Sequence, residues 1–503
     1  MPGIFSSLSS ASYALQTHSR SVEQTGKNIA NINNPNYSRQ RIVTGSVGAF
    51  NTSSGVESGP LQAIGVVQIR DVYIDRQMLS ELSYQSSLET QDFRLRQALA
   101  NFGDTVDRSE DATFVDDVAQ SGGGLRGAMD KFFDSFESLA ARPNDATTRQ
   151  VVFQSAEALV DSFNRIDNRF DIMQDELDKQ ISVELTSLNQ RISELHGINQ
   201  EIGRLELGQP GSALDLRDQR QQLLEEISEY VLFESVESAE YNGQVTLSMR
   251  NEDGEMISIL EPMVAPREIY FDATARSFRL SGSGETFDIE SGRLPAILEV
   301  SDTYVAEIRS QLDLMANNLA TEVNELYYQA FAVAGADPAV PEISFFQQPT
   351  PPPSISGIAS TVTAASLALY SEPSDVSVTD YVPLTANSLR TTTSEFSGAN
   401  ELALALADVA TQDLAGLGSL NLSDFASRTI TSLGQEIEQV QGRMEVQQDV
   451  VALLEARRGE VAGVSMDEEV SQMVQYQRAF QASSRYFNVL SEMLETLINS
   501  LGR

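Results

Sequence analysis

At 503 residues the chain has room for two to four domains. Its formal charge of −38, from 72 acidic against 34 basic residues, argues against nucleic acid or an anionic membrane as a partner, because phosphate contacts need clustered cations. The absence of cysteine excludes disulfide and thiolate chemistry. No apolar run approaches the roughly 20 residues that span a bilayer.

The first 32 residues place Ile4, Leu8, Ala11, Leu15, His18, Val22, Thr25 and Ile29 at alternating four- and three-residue steps, the seam of a coiled-coil helix. The start Met1-Pro2-Gly3-Ile4 lacks the basic region of a secretory signal, so export is expected without a cleaved signal peptide. Asn31 to Pro35 break this helix. An extended segment is expected around Arg41-Ile42-Val43, a Gly- and Ser-rich loop over 45–60, and a short strand over 65–70. From Asp71 the period is helical, with Ile74, Met78, Leu88, Leu95, Leu99 and Phe102 on one stripe. Gly122 to Gly124 break the pattern before a short helix bearing Met129, Phe132, Phe133, Phe136 and Leu139. Asp145 then stands as the N-cap of a long helix.

That helix keeps heptads through Phe163, Ile166, Phe170, Met173 and Leu177, shifts by four-residue steps at Ile181 and Leu185, and resumes heptads from Leu188 through Ile202. After Gly208 to Gly211, residues 214–230 form another amphipathic helix. Alternating apolar residues and Asn, Asp and Gly turns make 231–299 β-rich. Helix returns at Val305. Residues 335–396, rich in Pro, Ser and Thr, read as an irregular excursion with short strands. From Ala399 the chain is helical again, and Ile430 through Val461 keep a heptad stripe. A one-residue frame jump beside Gly463 marks the start of a separate terminal helix.

That last helix carries a seam of Met473, Tyr476, Phe480, Ser483, Phe487, Leu490, Leu494, Leu497 and Leu501. Seams at opposite ends bury each other only if the chain returns to its starting point. The expected fold is therefore mainly α with a β-rich insertion: paired N- and C-terminal coiled-coil helices, a middle long-helix bundle and a distal β domain. The corresponding division is 1–44 plus 464–503 for the terminal coiled coil, 45–230 plus 300–334 plus 397–463 for the helical bundle, 231–299 for the β-rich domain, and 335–396 for the excursion. The terminal seam residues Ile4, Leu8, Leu15, Val22, Ile29, Met473, Tyr476, Phe480, Phe487, Leu490, Leu494, Leu497 and Leu501 are the candidate assembly interface.

No catalytic, metal or cofactor site is expected. The only histidines, His18 and His196, lie within helical patterns, and no ligand spacing supports zinc. Glu252-Asp253-Gly254-Glu255 lacks a calcium loop's twelve-residue pattern and fits a hairpin turn. Asp467-Glu468-Glu469 fits the first turn of a helix, where carboxylates favour the dipole. Gly122-Gly123-Gly124 lacks the Gly-Lys-Ser/Thr of a phosphate loop.

Asn28-Ile29-Ala30-Asn31 through Pro35-Asn36-Tyr37-Ser38-Arg39-Gln40 resembles the N-terminal signature of the flagellar axial family of rod, hook and junction proteins. Asn31, Pro35, Tyr37, Ser38, Arg39 and Gln40 carry it, with Asn36 where the family usually has Gly; Asn tolerates the left-handed backbone of a turn. Tyr37-Ser38-Arg39-Gln40 favours the junction branch over rod or hook proteins. Three internal segments match it too: Phe132-Phe133 through Arg142-Pro143, Leu214 to Arg220 with Leu223-Leu224, and Gln311-Leu312-Asp313 through Val323-Asn324. Met466-Asp467-Glu468-Glu469 and Tyr476 to Ala482 are similar to the shared C-terminal signature.

The resemblance implies an extracellular structural subunit of the bacterial flagellum, at the hook–filament junction, exported by the flagellar type III apparatus. It further implies self-association in a ring of like subunits, contacts with the hook protein and with a second junction protein (hook-associated protein 3), and an export chaperone on the C-terminal helix. The alternative is another extracellular coiled-coil fibre or adhesin subunit, or a phage fibre, for which one continuous heptad or repeated β units are expected. A periplasmic hydrolase is a third reading.

Overall fold

The computed structural model describes residues 2–46, 49–52, 55–58, 61–102, 124–208, 211–238, 240–333, 345–347, 362–369, 384, 389, 391 and 398–501. They form a mainly α chain with small antiparallel sheets. Two compact units emerge: residues 1–87, 182–295 and 444–503, and residues 88–181 and 296–443.

In the first unit, α1 (Pro2–Ala30) packs along α10 (Met466–Leu501), so both ends of the chain do meet. β1 (Gln40–Ser46) pairs antiparallel with β4 (Leu61–Gln68), and β2 (Ala49–Thr52) with β3 (Gly55–Ser58). The loop expected over 45–60 is thus largely ladder. Gly and Ser signal turns, but a ladder's backbone bonds do not depend on side chains. α2 (Val72–Phe102) and α9 (Leu422–Ala462) each contribute residues to both units. In the first unit Met78 of α2 packs on Val451 and Leu454 of α9.

The long helix α4 (Ala146–Leu205) also supplies both units. Every apolar position of its heptads and of the four-residue shift, from Phe163 to Ile202, is buried. Asp145 caps it as expected, accepting from the Thr147 amide at 2.9 Å. Its second half, with α5 (Leu214–Tyr230), carries two three-stranded sheets, ordered β5-β6-β7 and β10-β9-β8. The strands are β5 (Glu234–Ser238), β6 (Gln244–Arg250), β7 (Met256–Leu260), β8 (Ile269–Asp272), β9 (Ser277–Leu280) and β10 (Thr286–Phe287). Residues 252–255 form the β6–β7 turn, with Gly254 at φ +82° and the Glu255 amide on Asn251 Oδ1 at 2.7 Å. These strands fall in the same unit as both chain ends.

In the second unit, α3 (Gly124–Ala141) presents Phe132 and Phe136 to Phe345, and Tyr327 of α7 (Ala306–Val333) closes on Phe345 with ring centroids 5.7 Å apart. Helix returns earlier than expected. α6 (Arg293–Glu299) begins 12 residues before Val305 and runs through a π segment, Val300–Val305, into α7. Pro295 hides it in the sequence, but lies in the first turn, where its missing N–H has no intrahelical partner to lose. The helix expected from Ala399 is α8 (Glu401–Asp408), then irregular chain with a short 3₁₀ turn, before α9. Most of 335–396 lies outside the described residues; within it Phe346 bridges Leu369.

Candidate functional site

The family-signature residues converge where α1 ends and β1 begins. α1 stops because Asn31 folds its amide onto the Lys27 carbonyl (2.9 Å), and an Asx turn follows, the Asn36 amide on Asn34 Oδ1 (3.2 Å). Asn36 is not among the residues with positive φ, so the left-handed turn expected there is absent; the Asn34 side chain shapes the bend instead. Pro35 is exposed.

Asn28 is the hub. Its Oδ1 accepts from the Tyr37 hydroxyl (2.8 Å) and the Gln40 amide (3.2 Å). Its Nδ2 donates to the Gln40 carbonyl (2.9 Å) and to Glu469 Oε2 (3.0 Å). Those four bonds fill the whole capacity of a carboxamide, which makes a buried Asn tolerable in a helix. Gln40 in turn accepts from Gln24 Nε2 (3.0 Å) and donates to Asp215 Oδ1 of α5 (3.1 Å).

Arg39 extends the joint to two more elements. Its guanidinium meets Glu469 at 2.7 Å and Glu468 at 2.8 Å, in the first turn of α10. Its amide donates to the Ala462 carbonyl at the end of α9 (2.9 Å), and its carbonyl accepts from the Ile69 amide beyond β4 (2.8 Å). Glu469 is only 1% exposed, so its pairing with Arg39 and Asn28 is obligatory. Arg70 binds Ser38 Oγ (2.7 Å) and Asp218 Oδ1 (2.9 Å), while the Ser38 amide reaches Asp218 Oδ2 (3.4 Å). Burial raises the pKa of Asp218 above its usual 3.8, only partly countered by Arg70 and Ser38; burial raises Asp75 likewise. Burial, with Asp215, Asp218 and Glu469 nearby, pushes the Tyr37 phenol up to about 12. The joint thus binds six segments: α1, the start of β1, the β4–α2 corner, α5, the end of α9 and the start of α10.

On α5 the carboxylates Asp215 and Asp218 face this joint, while Arg217 and Arg220 grip the β5–β6 hairpin. Arg217 pairs with buried Glu206 and with Glu237, each at 2.9 Å, and Arg220 donates to the Gly243 carbonyl. The carboxylates here are taken by guanidiniums and amides. Among the described residues no cluster of His, Cys, Asp or Glu is arranged to hold a metal ion. The arrangement fastens elements together.

The terminal seam is placed less simply. The side chains of Ile4 and Leu501 lie outside those described. Leu8, Leu15, Val22 and Ile29 are half-buried, as are Met473, Tyr476, Phe487, Leu494 and Leu497; Leu490 is buried and Phe480 is 40% exposed. In α1 the most buried stripe is largely polar: Ala11, Thr17, Ser21, Gln24, Thr25 and Asn28. Thr17, Ser21 and Thr25 return their hydroxyls to the carbonyls four residues back, at 2.8–2.9 Å, and so enter the contact without unpaired groups. The seam spacing includes Ala11 and Thr25 but misses Thr17, Ser21 and Gln24. It also misses Asn28, Arg70, Asp215, Asp218, Glu468 and Glu469 as site residues, because they lie in separate stretches of sequence that only the fold brings together. His18 is half-buried, and burial lowers its pKa.

Comparison with known proteins agrees with this geometry. Residues 115–340 match the family model described as the flagellar hook-associated protein FlgK helical domain, and 458–501 the flagellar basal body rod FlgEFG protein C-terminal model. The chain is 23% identical over 544 residues to flagellar hook-associated protein 1 of Bacillus subtilis, covering 100% of this chain and 99% of that one. It is 21% identical to the Escherichia coli protein of that name, covering 98% of each. The Salmonella typhimurium protein matches at 27% over 252 residues, 49% of this chain and 40% of that one. In fold the chain is similar to the flagellar hook junction protein FlgK of Burkholderia pseudomallei, with a TM-score of 0.55 at 12% identity, covering 77% of this chain and 100% of that one. With two family models matched in order and similarity running from end to end, the chain is similar throughout its length to the flagellar hook-associated protein 1 (FlgK) family.

Proposed function

We propose that the chain is a structural subunit of the bacterial flagellum at the junction between hook and filament, assembled through its paired terminal helices and without enzymatic activity. The carrying observation is the joint itself. Signature residues Tyr37, Ser38, Arg39 and Gln40 spend their polar groups on Asn28, Asp215, Asp218, Glu468 and Glu469, fixing the terminal pair to the rest of its unit. A subunit that carries mechanical load through its ends needs such a connection. The four-part division, with 1–44 plus 464–503 as the assembling part, belongs to the same proposal.

The surface of α10 supports it. Met466, Val470, Val474, Tyr486, Val489, Met493 and Ile498 are all exposed, beside the half-buried seam. Neighbouring copies in a ring, the hook protein on one side and the second junction protein on the other are the partners that complete this packing. The same apolar helix is the segment that an export chaperone shields before export, and the location is extracellular. Gold-labelled antibody against the chain, viewed by electron microscopy on isolated flagella, tests the reading. Label at the hook–filament boundary is expected; label along the filament, or on fibres unconnected with flagella, would favour the fibre or adhesin alternative.

A further inference from the structure

The chain holds neither cysteine nor tryptophan, so the thioethers of its 12 methionines are its most readily oxidised groups. Five of them, Met78, Met129, Met173, Met249 and Met315, are at most 2% exposed and so are packed away from an oxidant. Met466 and Met493 are 44% and 54% exposed, and both stand on α10. Met466 opens that helix in line with exposed Val470 and Val474, and Met493 lies one turn beyond exposed Val489. Residues four apart share a helix face, so each methionine completes an apolar stack open to solvent. The valines beside them have no readily oxidised atom. Among the described residues the other exposed methionines are Met256 and Met263, on β7 and just after it.

We propose that Met466 and Met493 form an oxidation-sensitive site that controls whether the free chain joins an assembly. The modification is the sulfoxide, and the oxidant is hydrogen peroxide. The sulfur lone pair attacks one peroxide oxygen, and the S–O bond forms as the O–O bond breaks. The departing hydroxide takes the proton from the transferred oxygen and leaves as water. Sulfur is oxidised by two electrons and the peroxide is reduced by two.

In the free chain the new oxygen faces water, so folding is undisturbed. Packed against a neighbouring subunit, the same oxygen is a buried acceptor without a donor, where the thioether was apolar and adaptable. The sulfoxide therefore leaves the chain folded and stops its incorporation. Incorporation first, in turn, shields both sulfurs, and methionine sulfoxide reductase reverses the block. The inference rests on the reading of α10 as the assembling helix and adds a chemical control to it.

The test treats purified chain with hydrogen peroxide, removes the excess with catalase and locates the sulfoxides by mass spectrometry. The chain is then added to isolated hooks that lack it. Oxidised chain, with unchanged circular dichroism, is expected to join hooks about tenfold less than untreated chain, and the reductase to restore it. Met466→Leu with Met493→Leu keeps Met256 and Met263 oxidisable, and after the same treatment it is expected to join as its untreated form does. An equal loss in this double variant would place the damage elsewhere and overturn the proposal. Met466→Gln with Met493→Gln puts polar groups of similar length at both positions and is expected to show the loss without oxidant. Normal joining by that variant, or by oxidised native chain, overturns the proposal and leaves the junction reading intact. In assembled flagella both sulfurs are expected to oxidise about tenfold more slowly than in the free chain, and equal rates overturn the shielding. Untreated chain that never joins hooks would instead sink the junction reading on which the site depends.

Discussion

At the scale of single residues, the joint depends on Asn28 and on the carboxylates around it. Asn28→Ala strands the Gln40 amide and carbonyl and the Tyr37 hydroxyl, and takes one partner from Glu469. At roughly 1–3 kcal/mol for each buried polar group left unpaired, partly relieved by water, a loss of about 3 kcal/mol is expected in urea unfolding. A loss below about 0.5 kcal/mol would mean that the hub is not a hub. Asp218 gives a pH signature. Its folded pKa is raised by burial, so the folded chain binds this proton more tightly than the unfolded chain does. Its contribution to stability is full below the unfolded pKa of about 3.8 and is lost as pH rises through the folded value. The stability of the native chain relative to Asp218→Asn should therefore grow as pH falls from 7 towards 4. A difference that shrinks would show Arg70 outweighing the burial cost.

At the scale of elements, one device recurs. Four helix asparagines each hold both the N–H and the C=O of a residue in another segment: Asn28 on Gln40, Asn189 on Ile269, Asn199 on Val245 and Asn324 on Phe346. The carboxamide offers a donor and an acceptor side by side, as a peptide group does, and so stands in for a neighbouring strand. Asn199→Ala is expected to cost about 2 kcal/mol and to speed amide exchange of β6, while α4 keeps its helicity. Unchanged β6 exchange would contradict it. This device marks the limit of what the sequence shows. The α4 seam is legible from Phe163 to Ile202 because apolar burial follows helical period, yet Asn199 falls on that seam as a polar gap between Leu195 and Ile202. Gln447, which bonds the Glu81 carbonyl and carboxylate, is such a gap in α9. Periodicity finds these gaps but not the backbone groups they serve, since those lie 46 residues away for Asn199 and 366 for Gln447. The β2–β3 ladder and α6 were hidden for the reverse reason, as glycine, serine and proline masked regular structure. In α10 the seam was legible and its degree of burial was not. Leu490→Asp, at a buried site, should cost the free chain roughly 2–3 kcal/mol. Phe480→Asp should cost it less than about 1 kcal/mol yet still block incorporation into flagella, and normal incorporation of Phe480→Asp would show that this face meets no neighbour.

At the scale of the whole molecule, charge separates the terminal helices, the proposed assembling part, from the rest. α1 and α10 together carry Arg20, Lys27, Arg478 and Arg485 against Glu23, Asp467, Glu468, Glu469, Glu492 and Glu495, a formal −2 in a chain of −38. Of these acids, Glu468 and Glu469 share an ion pair with Arg39, which offsets one of their two charges. A ring of identical subunits brings like surfaces close together, where repeated charge repels, so a near-neutral terminal pair fits a shared interface and a strongly acidic remainder fits a solvated exterior. Cryo-electron microscopy of intact hook–filament complexes, at a resolution that shows side chains, tests this most directly. The α1–α10 pair is expected to pack between copies of itself, with Met466, Val470, Val474 and Phe480 buried against neighbours and the Asn28–Arg39–Glu469 joint intact in every subunit. A terminal pair left facing solvent in the assembled junction, with subunits joined through other surfaces, would contradict it.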